Sequence, residues 1–213
     1  MKIKFKKYWR KTSLKKINDG QYLLNHISSV KPKNFLEIGV FHGVTSRNVC
    51  ELLNSINGGD FKFTGIDLFL SEKDISKDEH APKRTFSNPF KHIFYKYIVK
   101  LDPYTLESVL KLLNKFKNNI SILKGDSNNL LKEININKFD YVFLDGGHKY
   151  ETVKTDLEYL TQVINNNGII LCDDYNLTYA PGVKKAIDEY TSDKNFNLRI
   201  LNSRFAEISK KSY

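Results

Sequence analysis

The feature that most constrains the fold of this chain is a regular alternation of short apolar runs with apolar stripes at helical spacing. The runs predict buried strands at Asn34–Ile38, Phe61–Asp67, Ile120–Lys124, Phe139–Leu144 and Gly168–Cys172. The stripes predict helices around residues 22–27, 49–56, 106–116, 153–164 and 183–190. Strands that alternate with helices form right-handed βαβ units, so we expect an α/β fold with a parallel sheet and helices on both faces.

Two further apolar runs, Leu198–Leu201 and Phe205–Ile208, are separated by three residues and predict an antiparallel hairpin. With 213 residues, 40% of them hydrophobic, we expect one domain over residues 31–213, preceded by a basic arm and short helix at 1–30. Residues 70–103 interrupt the alternation with prolines and aromatic side chains. So long a connection is typical of a lid or a substrate loop.

The net charge of +10 is concentrated in the first 16 residues, which hold eight Lys and Arg and no acid. The rest of the chain is close to neutral. Because Phe5, Tyr8 and Trp9 alternate with the lysines, residues 1–16 could bind nucleic acid or an anionic membrane surface. The near-neutral body favours the alternative, a solubilising arm whose aromatic side chains dock on the domain.

The only two cysteines, Cys50 and Cys172, exclude a disulfide framework and a zinc site built on a Cys-x-x-Cys motif. The chain has no apolar run of membrane-spanning length, and no apolar segment follows the basic N-terminus as it would in a secretory signal. A cytoplasmic setting is therefore expected.

Acidic residues stand where each of five predicted strands ends. They are Glu37, Asp67, Asp126, Asp145 and the pair Asp173-Asp174. Any one of them could be a turn residue, but this explanation is difficult to maintain for all five places together. Ligands of parallel sheets bind beyond the carboxyl ends of the strands, so the functional site is expected there.

The loop after the first strand contains Gly39 and Gly43, which do not have the spacing of a dinucleotide fingerprint, and the chain has no GxxxxGK(S/T) phosphate loop. A nucleoside without phosphates fits the acids better, because carboxylates repel a pyrophosphate. Asp67 is placed to accept hydrogen bonds from two ribose hydroxyls, and Asp126 with Ser127 can reach an adenine edge.

The ordered segments FLEIGVFHG, FTGID, ILKGDS and FDYVFLDGGH resemble the class I S-adenosylmethionine-dependent methyltransferases over roughly residues 34–210. The resemblance implies a Rossmann-like sheet of seven strands and S-adenosylmethionine as cofactor. The residues that it implies for cofactor binding are Glu37, Gly39 and Gly43 near the methionine part, Asp67 at the ribose, Asp126 with Ser127 at the adenine, and Asp145 beside them.

A second, sharper resemblance comes from DGGHKYETVKTDLEYL followed by GIILCDDY, which is similar to the metal-dependent sugar O-methyltransferases of the macrocin type. It implies that Asp145, Asp173 and Asp174 bind Mg²⁺, and that His148 is the general base in a catalytic group with Asp145. A structural role for His148, as a cap of the following helix or a partner of a neighbouring carbonyl, stays open. Neighbouring carboxylates repel one another unless a cation or protons neutralise them, and oxygen ligands suit Mg²⁺.

The resulting hypothesis is an O-methyltransferase that acts on a hydroxyl of a sugar, glycoconjugate or other small molecule. Two alternatives stay open: an RNA methyltransferase that uses the basic arm, and a non-catalytic binding module on a methyltransferase fold. Homo-oligomer formation is open as well. We expect His26 to lie at the surface and His42 to be exposed in its loop.

Overall fold

The computed structural model describes residues 3–70, 88–134, 139–192 and 196–211 of the chain. Seven strands in these ranges form one sheet: β1 (Asn34–Ile38), β2 (Lys62–Asp67), β3 (Ile120–Lys124), β4 (Tyr141–Leu144), β5 (Ile169–Cys172), β6 (Phe196–Leu201) and β7 (Phe205–Lys210). Their order is β3-β2-β1-β4-β5-β7-β6. The first five pair in parallel, whereas β7 is antiparallel to β5 and β6. The predicted α/β fold with its C-terminal hairpin is confirmed.

The helices of the described ranges are α1 (Ile17–Val30), α2 (Val44–Ile56), α3 (Pro89–Ile93), α4 (Leu106–Leu113), α5 (Ser127–Glu133), α6 (Tyr150–Val163) and α7 (Pro181–Ser192). A π-helical turn, Phe94–Val99, continues α3, and a 3₁₀ turn, Asn114–Phe116, continues α4. None of these helices has the length and apolar character needed to cross a membrane. The sequence analysis did not predict α5, because its apolar side chains, Leu130 and Leu131, are adjacent and form no stripe.

The predicted lid or substrate loop at 70–103 lies partly outside the described residues, since 71–87 are not among them. In the described part, α3 begins where the sequence favours it: Pro89 is its first residue, and the Asn88 side chain accepts a hydrogen bond from the Phe90 backbone N–H (2.9 Å). The role of this segment as a lid stays a prediction.

The sheet buries a hydrophobic core on each face, because successive side chains of a strand point to opposite sides. In β1, Phe35 packs in the core with α1 and α2, whereas Leu36 packs in the core with α5, α6 and α7. Both side chains are fully buried. Since helices cover both faces, the carboxyl edge of the sheet is the place where polar side chains can gather.

The basic arm, residues 3–16, lies on the domain. Phe5 is buried against α1, where a Cβ added at Gly20 would lie 2.4 Å from the Phe5 ring. Lys6 and Asn48 exchange two hydrogen bonds, from the Lys6 backbone N–H to Asn48 Oδ1 (2.9 Å) and from Asn48 Nδ2 to the Lys6 carbonyl (2.8 Å). Phe5 thus docks as the arm interpretation expects, whereas Trp9 is 61% exposed.

Arg10 connects the arm to the loop after β1, to the segment before α4 and to α4 itself. Its guanidinium donates to the carbonyl oxygens of His42 (3.1 Å), Pro103 (3.3 Å) and Ser108 (3.0 Å), and to the Ser108 hydroxyl (3.0 Å). Arg10 is only 8% exposed. One of the eight basic residues that suggested nucleic-acid binding therefore has a structural role.

The expectation that His26 lies at the surface is wrong. The His26 side chain is 9% exposed, because α1 holds it against the sheet. Its Nδ1 lies 2.7 Å from the Tyr141 hydroxyl and its Nε2 lies 2.7 Å from Glu207 Oε2. Arg199 also donates to that oxygen (2.9 Å), so Glu207 joins α1 to the terminal hairpin.

We expect Arg10→Met to lower the free energy of unfolding by about 2–3 kcal/mol, because the loss of the guanidinium leaves buried carbonyl oxygens without a donor. Urea denaturation measures this. Lys4→Met, which removes the same charge from an exposed position of the arm, is the control and should differ little from the wild type. Equal effects of the two changes would contradict the structural role of Arg10.

We expect Glu207→Gln to cost about 1 kcal/mol of stability at pH 7. His26 and Arg199 hold the pKa of Glu207 below its ordinary value of 4.5, so this contribution is complete above pH 4.5 and is lost as pH falls through the lowered pKa. Denaturation of wild type, E207Q and the exposed control E133Q across this range provides the test. A wild-type advantage over E207Q that grows on acidification would contradict it.

Candidate functional site

The carboxyl ends of β3, β2, β1, β4 and β5 lie side by side at one edge of the sheet. Backbone N–H groups connect them, from Gly125 to the Asp67 carbonyl (3.0 Å), Gly39 to Ile66 (2.9 Å), Asp145 to Ile38 (2.8 Å) and Asp173 to Leu144 (2.9 Å). The structure therefore brings the predicted acids of all five strand ends to a common edge.

The two glycines of the first loop are required by its backbone. At Gly39, φ is +95°, and an added Cβ would lie 1.9 Å from the carbonyl oxygen of Asp145. At Gly43, which precedes α2, φ is +72° and an added Cβ would lie 3.1 Å from Val109 of α4. Only glycine fits such positions without strain. Their contact with a cofactor stays a prediction.

Glu37, in β1, lies inside the protein below this loop. Its side chain is fully buried, and Ser46 of α2 donates a hydrogen bond to Oε2 (2.5 Å). Burial raises the pKa of Glu37 to about 8, so the carboxyl is largely protonated at neutral pH. The other oxygen, Oε1, has no hydrogen-bond partner among the described residues. Binding of the methionine part by Glu37 stays a prediction.

Asp67 is held in one orientation at the end of β2. Its Oδ2 accepts from the Phe41 backbone N–H (2.7 Å), and its Oδ1 accepts from the Phe69 N–H (2.9 Å) and from the Tyr104 hydroxyl (2.9 Å). Burial raises the pKa of Asp67, and these hydrogen bonds oppose the shift. Asp67, the residue predicted to bind the ribose, is therefore held at this edge of the sheet with its carboxyl group already oriented.

Asp126 and Ser127 form the start of α5. Asp126 is the N-cap, and its Oδ1 accepts from the Asn128 N–H (3.0 Å), while Ser127 is the first helical residue. Because Gly125 pairs with the end of β2, this N-terminus lies next to Asp67. The two residues therefore lie beside the predicted ribose ligand, and their contact with adenine stays a prediction.

Asp145 follows β4 and contacts the basic arm. The Ser13 hydroxyl donates to its Oδ2 (2.6 Å). Burial, together with the charges of Asp173 and Asp174, raises the pKa of Asp145 well above its ordinary value. This carboxyl therefore contacts the arm on one side and lies near Asp174, at the end of β5, on the other.

Arg204 lies between the acids that follow β5. Its Nε and Nη2 donate to the two oxygens of Asp173 (2.5 and 2.7 Å), and Nη2 also donates to Asp174 Oδ1 (2.9 Å). A guanidinium that binds both oxygens of one carboxylate makes a strong, oriented ion pair. These ion pairs raise the pKa of Arg204 despite its burial, so it stays charged.

His148 lies beside the second of these acids. Its Nε2 is 2.9 Å from Asp174 Oδ2, and its side chain is 28% exposed whereas that of Asp174 is buried. Asp174 has a left-handed backbone (φ +62°), and its N–H donates to Asp173 Oδ1 (2.7 Å). The structure therefore brings His148 and Asp174 together as a histidine–carboxylate pair that faces solvent on its histidine side.

The acids fit the predicted Mg²⁺ only in part. Asp145, His148 and Asp174 each offer a ligand atom, and these atoms lie within 4.8 Å of one another. Asp173, the third predicted ligand, has both oxygens on Arg204. The candidate set therefore contains a histidine nitrogen in place of one carboxylate, and two of its members already contact each other.

Sequence reasoning missed the partners of these acids. Ser13 and Arg204 belong to segments far from the motifs, and His42, expected to be exposed, is 1% exposed and accepts at Nδ1 from the Lys11 N–H (3.3 Å). Arg204 did carry a signal: it stands in the hairpin turn before the strand that pairs with β5. A cation there lies opposite the end of β5, where Asp173 and Asp174 follow.

Comparisons with known proteins agree with this geometry. A family model described as a methyltransferase domain matches residues 36–175. A search of curated proteins found no match. Among solved structures, the S-adenosylhomocysteine-bound methyltransferase PaMTH1 of Podospora anserina is similar with a TM-score of 0.63 at 17% identity, over 93% of this chain and 80% of that one.

The names of two further similar structures describe O-methyltransferases. CalS11, a TDP-rhamnose 3′-O-methyltransferase of calicheamicin biosynthesis, has a TM-score of 0.61 at 15% identity, over 91% of this chain and 79% of that one. The O-methyltransferase NovP has a TM-score of 0.58 at 18% identity, over 89% and 80%. With the family match over 36–175 and the Rossmann-like sheet, the predicted resemblance is confirmed: the chain belongs to the methyltransferase domain family and is an S-adenosylmethionine-dependent methyltransferase.

Proposed function

We propose that this methyltransferase transfers the methyl group of S-adenosylmethionine to a hydroxyl of a sugar, glycoconjugate or other small molecule. The observation that carries the proposal is the pair formed by His148 and Asp174 (2.9 Å) at the same edge as Asp67. A base next to the expected methyl donor is what an alcohol needs, because a neutral hydroxyl is a poor nucleophile. The similarity to CalS11 and NovP supports a hydroxyl acceptor.

The cofactor would lie along the edge from α5 to the loop after β1. Asp126 and Ser127 would contact the adenine, Asp67 the ribose, and the loop of Gly39 and Gly43, above Glu37, the methionine part. Asp67 Oδ1 already accepts from Phe69 and Tyr104, whereas Oδ2 accepts from the Phe41 N–H and has a second lone pair to which a ribose hydroxyl can donate.

The acceptor would approach His148 from the solvent side. An imidazole whose Nε2–H donates to Asp174 accepts a proton at Nδ1, and the carboxylate stabilises the imidazolium that forms. His148 would take the proton of the acceptor oxygen. Bound S-adenosylmethionine would supply the methyl group to that oxygen, and the electron pair of the carbon–sulfur bond would remain on the sulfur of the S-adenosylhomocysteine product. Asp145 lies between the cofactor loop and His148 and would fix the distance between donor and base.

The predicted Mg²⁺ has no step in this reaction. Its expected ligand Asp173 is bound by Arg204, and the remaining atoms include the contact between His148 and Asp174. The two residues that would form the general base, His148 and Asp174, are in contrast already in contact with each other.

The free and buried Cys50 and Cys172 support the cytoplasmic setting that the composition suggested.

The cofactor half is tested by calorimetry with S-adenosylhomocysteine. Asp67→Asn should weaken its affinity at least tenfold, because it removes the charge that accepts the ribose hydroxyls. Asp60→Asn, at an exposed aspartate whose side chain is 76% accessible, is the matched control and should bind as the wild type does. Absence of wild-type binding at millimolar ligand would end the proposal.

The acceptor half is tested by transfer of a labelled methyl group to a panel of nucleotide sugars, glycosides and phenols. His148→Ala should reduce kcat on the accepted compound by about 10²–10³-fold without changing the affinity for S-adenosylhomocysteine, because it removes only the base. The exposed neighbour Lys149→Ala should keep full activity. Equal activity of H148A and wild type would rule out His148 as the base.

A further inference from the structure

Arg204 is surrounded by acids from two different parts of the chain, the end of β5 and α1. It binds both oxygens of Asp173 and one oxygen of Asp174. On the other side, its Nη1 lies 3.6 Å from Asp19 Oδ2 of α1. The Arg204 side chain is only 13% exposed, so these charges face one another with little solvent between them.

The fold itself brings Arg204 to this place. Asn202 and Ser203 adopt left-handed backbones (φ +51° and +52°) and make the tight turn between β6 and β7. The backbone of Arg204 is fixed as well, since its carbonyl accepts from the Tyr175 N–H (2.9 Å). Antiparallel pairing of β7 with β5, which sets Ala206 opposite Cys172, then places the guanidinium next to Asp173. The ion pair is therefore a built part of the site.

The charge that a divalent metal would supply is already present in part. Carboxylates gathered at neighbouring strand ends need a cation, and a guanidinium can provide it with directed hydrogen bonds. A metal bound to Asp173 would have to displace a two-pronged, charge-assisted pair and would then face the positive charge of Arg204. Of the four carboxylate oxygens of Asp173 and Asp174, Arg204 binds three, and the fourth, Asp174 Oδ2, is in contact with His148.

We infer that Arg204 is the resident cation of this site: it takes the place of a divalent metal at Asp173 and Asp174, and it holds Asp174 so that Oδ2 orients His148. The first part stands on the ion pairs alone. The second part rests on the proposed function, because it concerns the base. Arg204 is thus a positioning residue that acts through Asp174.

The first part is tested by measuring Mn²⁺ binding to the purified full chain without cofactor. Binding is measured by calorimetry and by the electron paramagnetic resonance signal of free Mn²⁺. Mn²⁺ is the probe because it takes the same oxygen ligands as Mg²⁺. We expect no saturable binding to the wild type at low millimolar Mn²⁺. Arg204→Met should create one Mn²⁺ site with an affinity at least tenfold higher than that of the wild type. The double change R204M/D173N should remove this site again.

Arg199→Met is the matched control: it removes an arginine of the same hairpin whose side chain is 65% exposed, and it should not create a site. If R204M does not fold, Arg204→Gln, which keeps an amide donor for Asp173, replaces it. The inference is overturned if the wild type binds one Mn²⁺ that Asp145→Asn or Asp173→Asn abolishes. It is also overturned if a folded Arg204 variant binds Mn²⁺ no better than R199M.

The second part is tested by ¹⁵N-resolved NMR of the ring nitrogens of His148. The His148→Ala variant identifies the signals that belong to this residue. We expect R204M to reduce the form protonated at Nε2, while R199M leaves it unchanged. Identical spectra in wild type and R204M would overturn the positioning role. S-adenosylhomocysteine binding is measured on the same samples, so a failed cofactor site is distinguished from a failed inference about Arg204.

Discussion

Parallel pairing of five strands is the constraint on which the rest of this structure depends. It places the carboxyl ends of β3, β2, β1, β4 and β5 at one edge, and each of these ends brings an acid. The benefit is a concentrated set of hydrogen-bond acceptors for a nucleoside. The cost is the repulsion and desolvation of the same carboxyl groups, which the chain must offset by other means.

The chain offsets this cost differently at each end. At Glu37, burial raises the pKa to about 8 and so favours the protonated form, and Ser46 donates to the carboxyl group. Asp67 receives two backbone N–H groups and the Tyr104 hydroxyl. Asp173 receives a guanidinium. These three carboxyl groups are therefore stabilised in different ways: by protonation, by hydrogen-bond dipoles and by a fixed positive charge. Their charge and hydrogen-bonding capacity differ accordingly along the edge.

The alternation of apolar runs and stripes was sufficient to predict the sheet, because burial on both faces leaves a direct trace in the sequence. The acids of the site were predictable for a similar reason: they come directly after those runs. Their partners were not. Ser13 contacts Asp145 across 132 positions of the chain, and Arg204 contacts Asp173 across 31, so no local pattern connects them. His26 was misplaced because its neighbours, Tyr141 and Glu207, are contributed by strands far along the sequence.

The two ends of the chain complete a site whose motifs lie in its middle. The arm supplies Ser13 to Asp145, and α1 supplies Asp19 to Arg204, which comes from the terminal hairpin. Arg204 in turn fixes Asp173 and Asp174 at the end of β5. Because each link is an ion pair or hydrogen bond among buried or half-buried groups, loss of one partner leaves the other with an unmet charge or acceptor. The arrangement of the acids at the site is therefore a property of the whole domain: the strand ends bring them together, and the arm and hairpin determine which of their oxygens stay available.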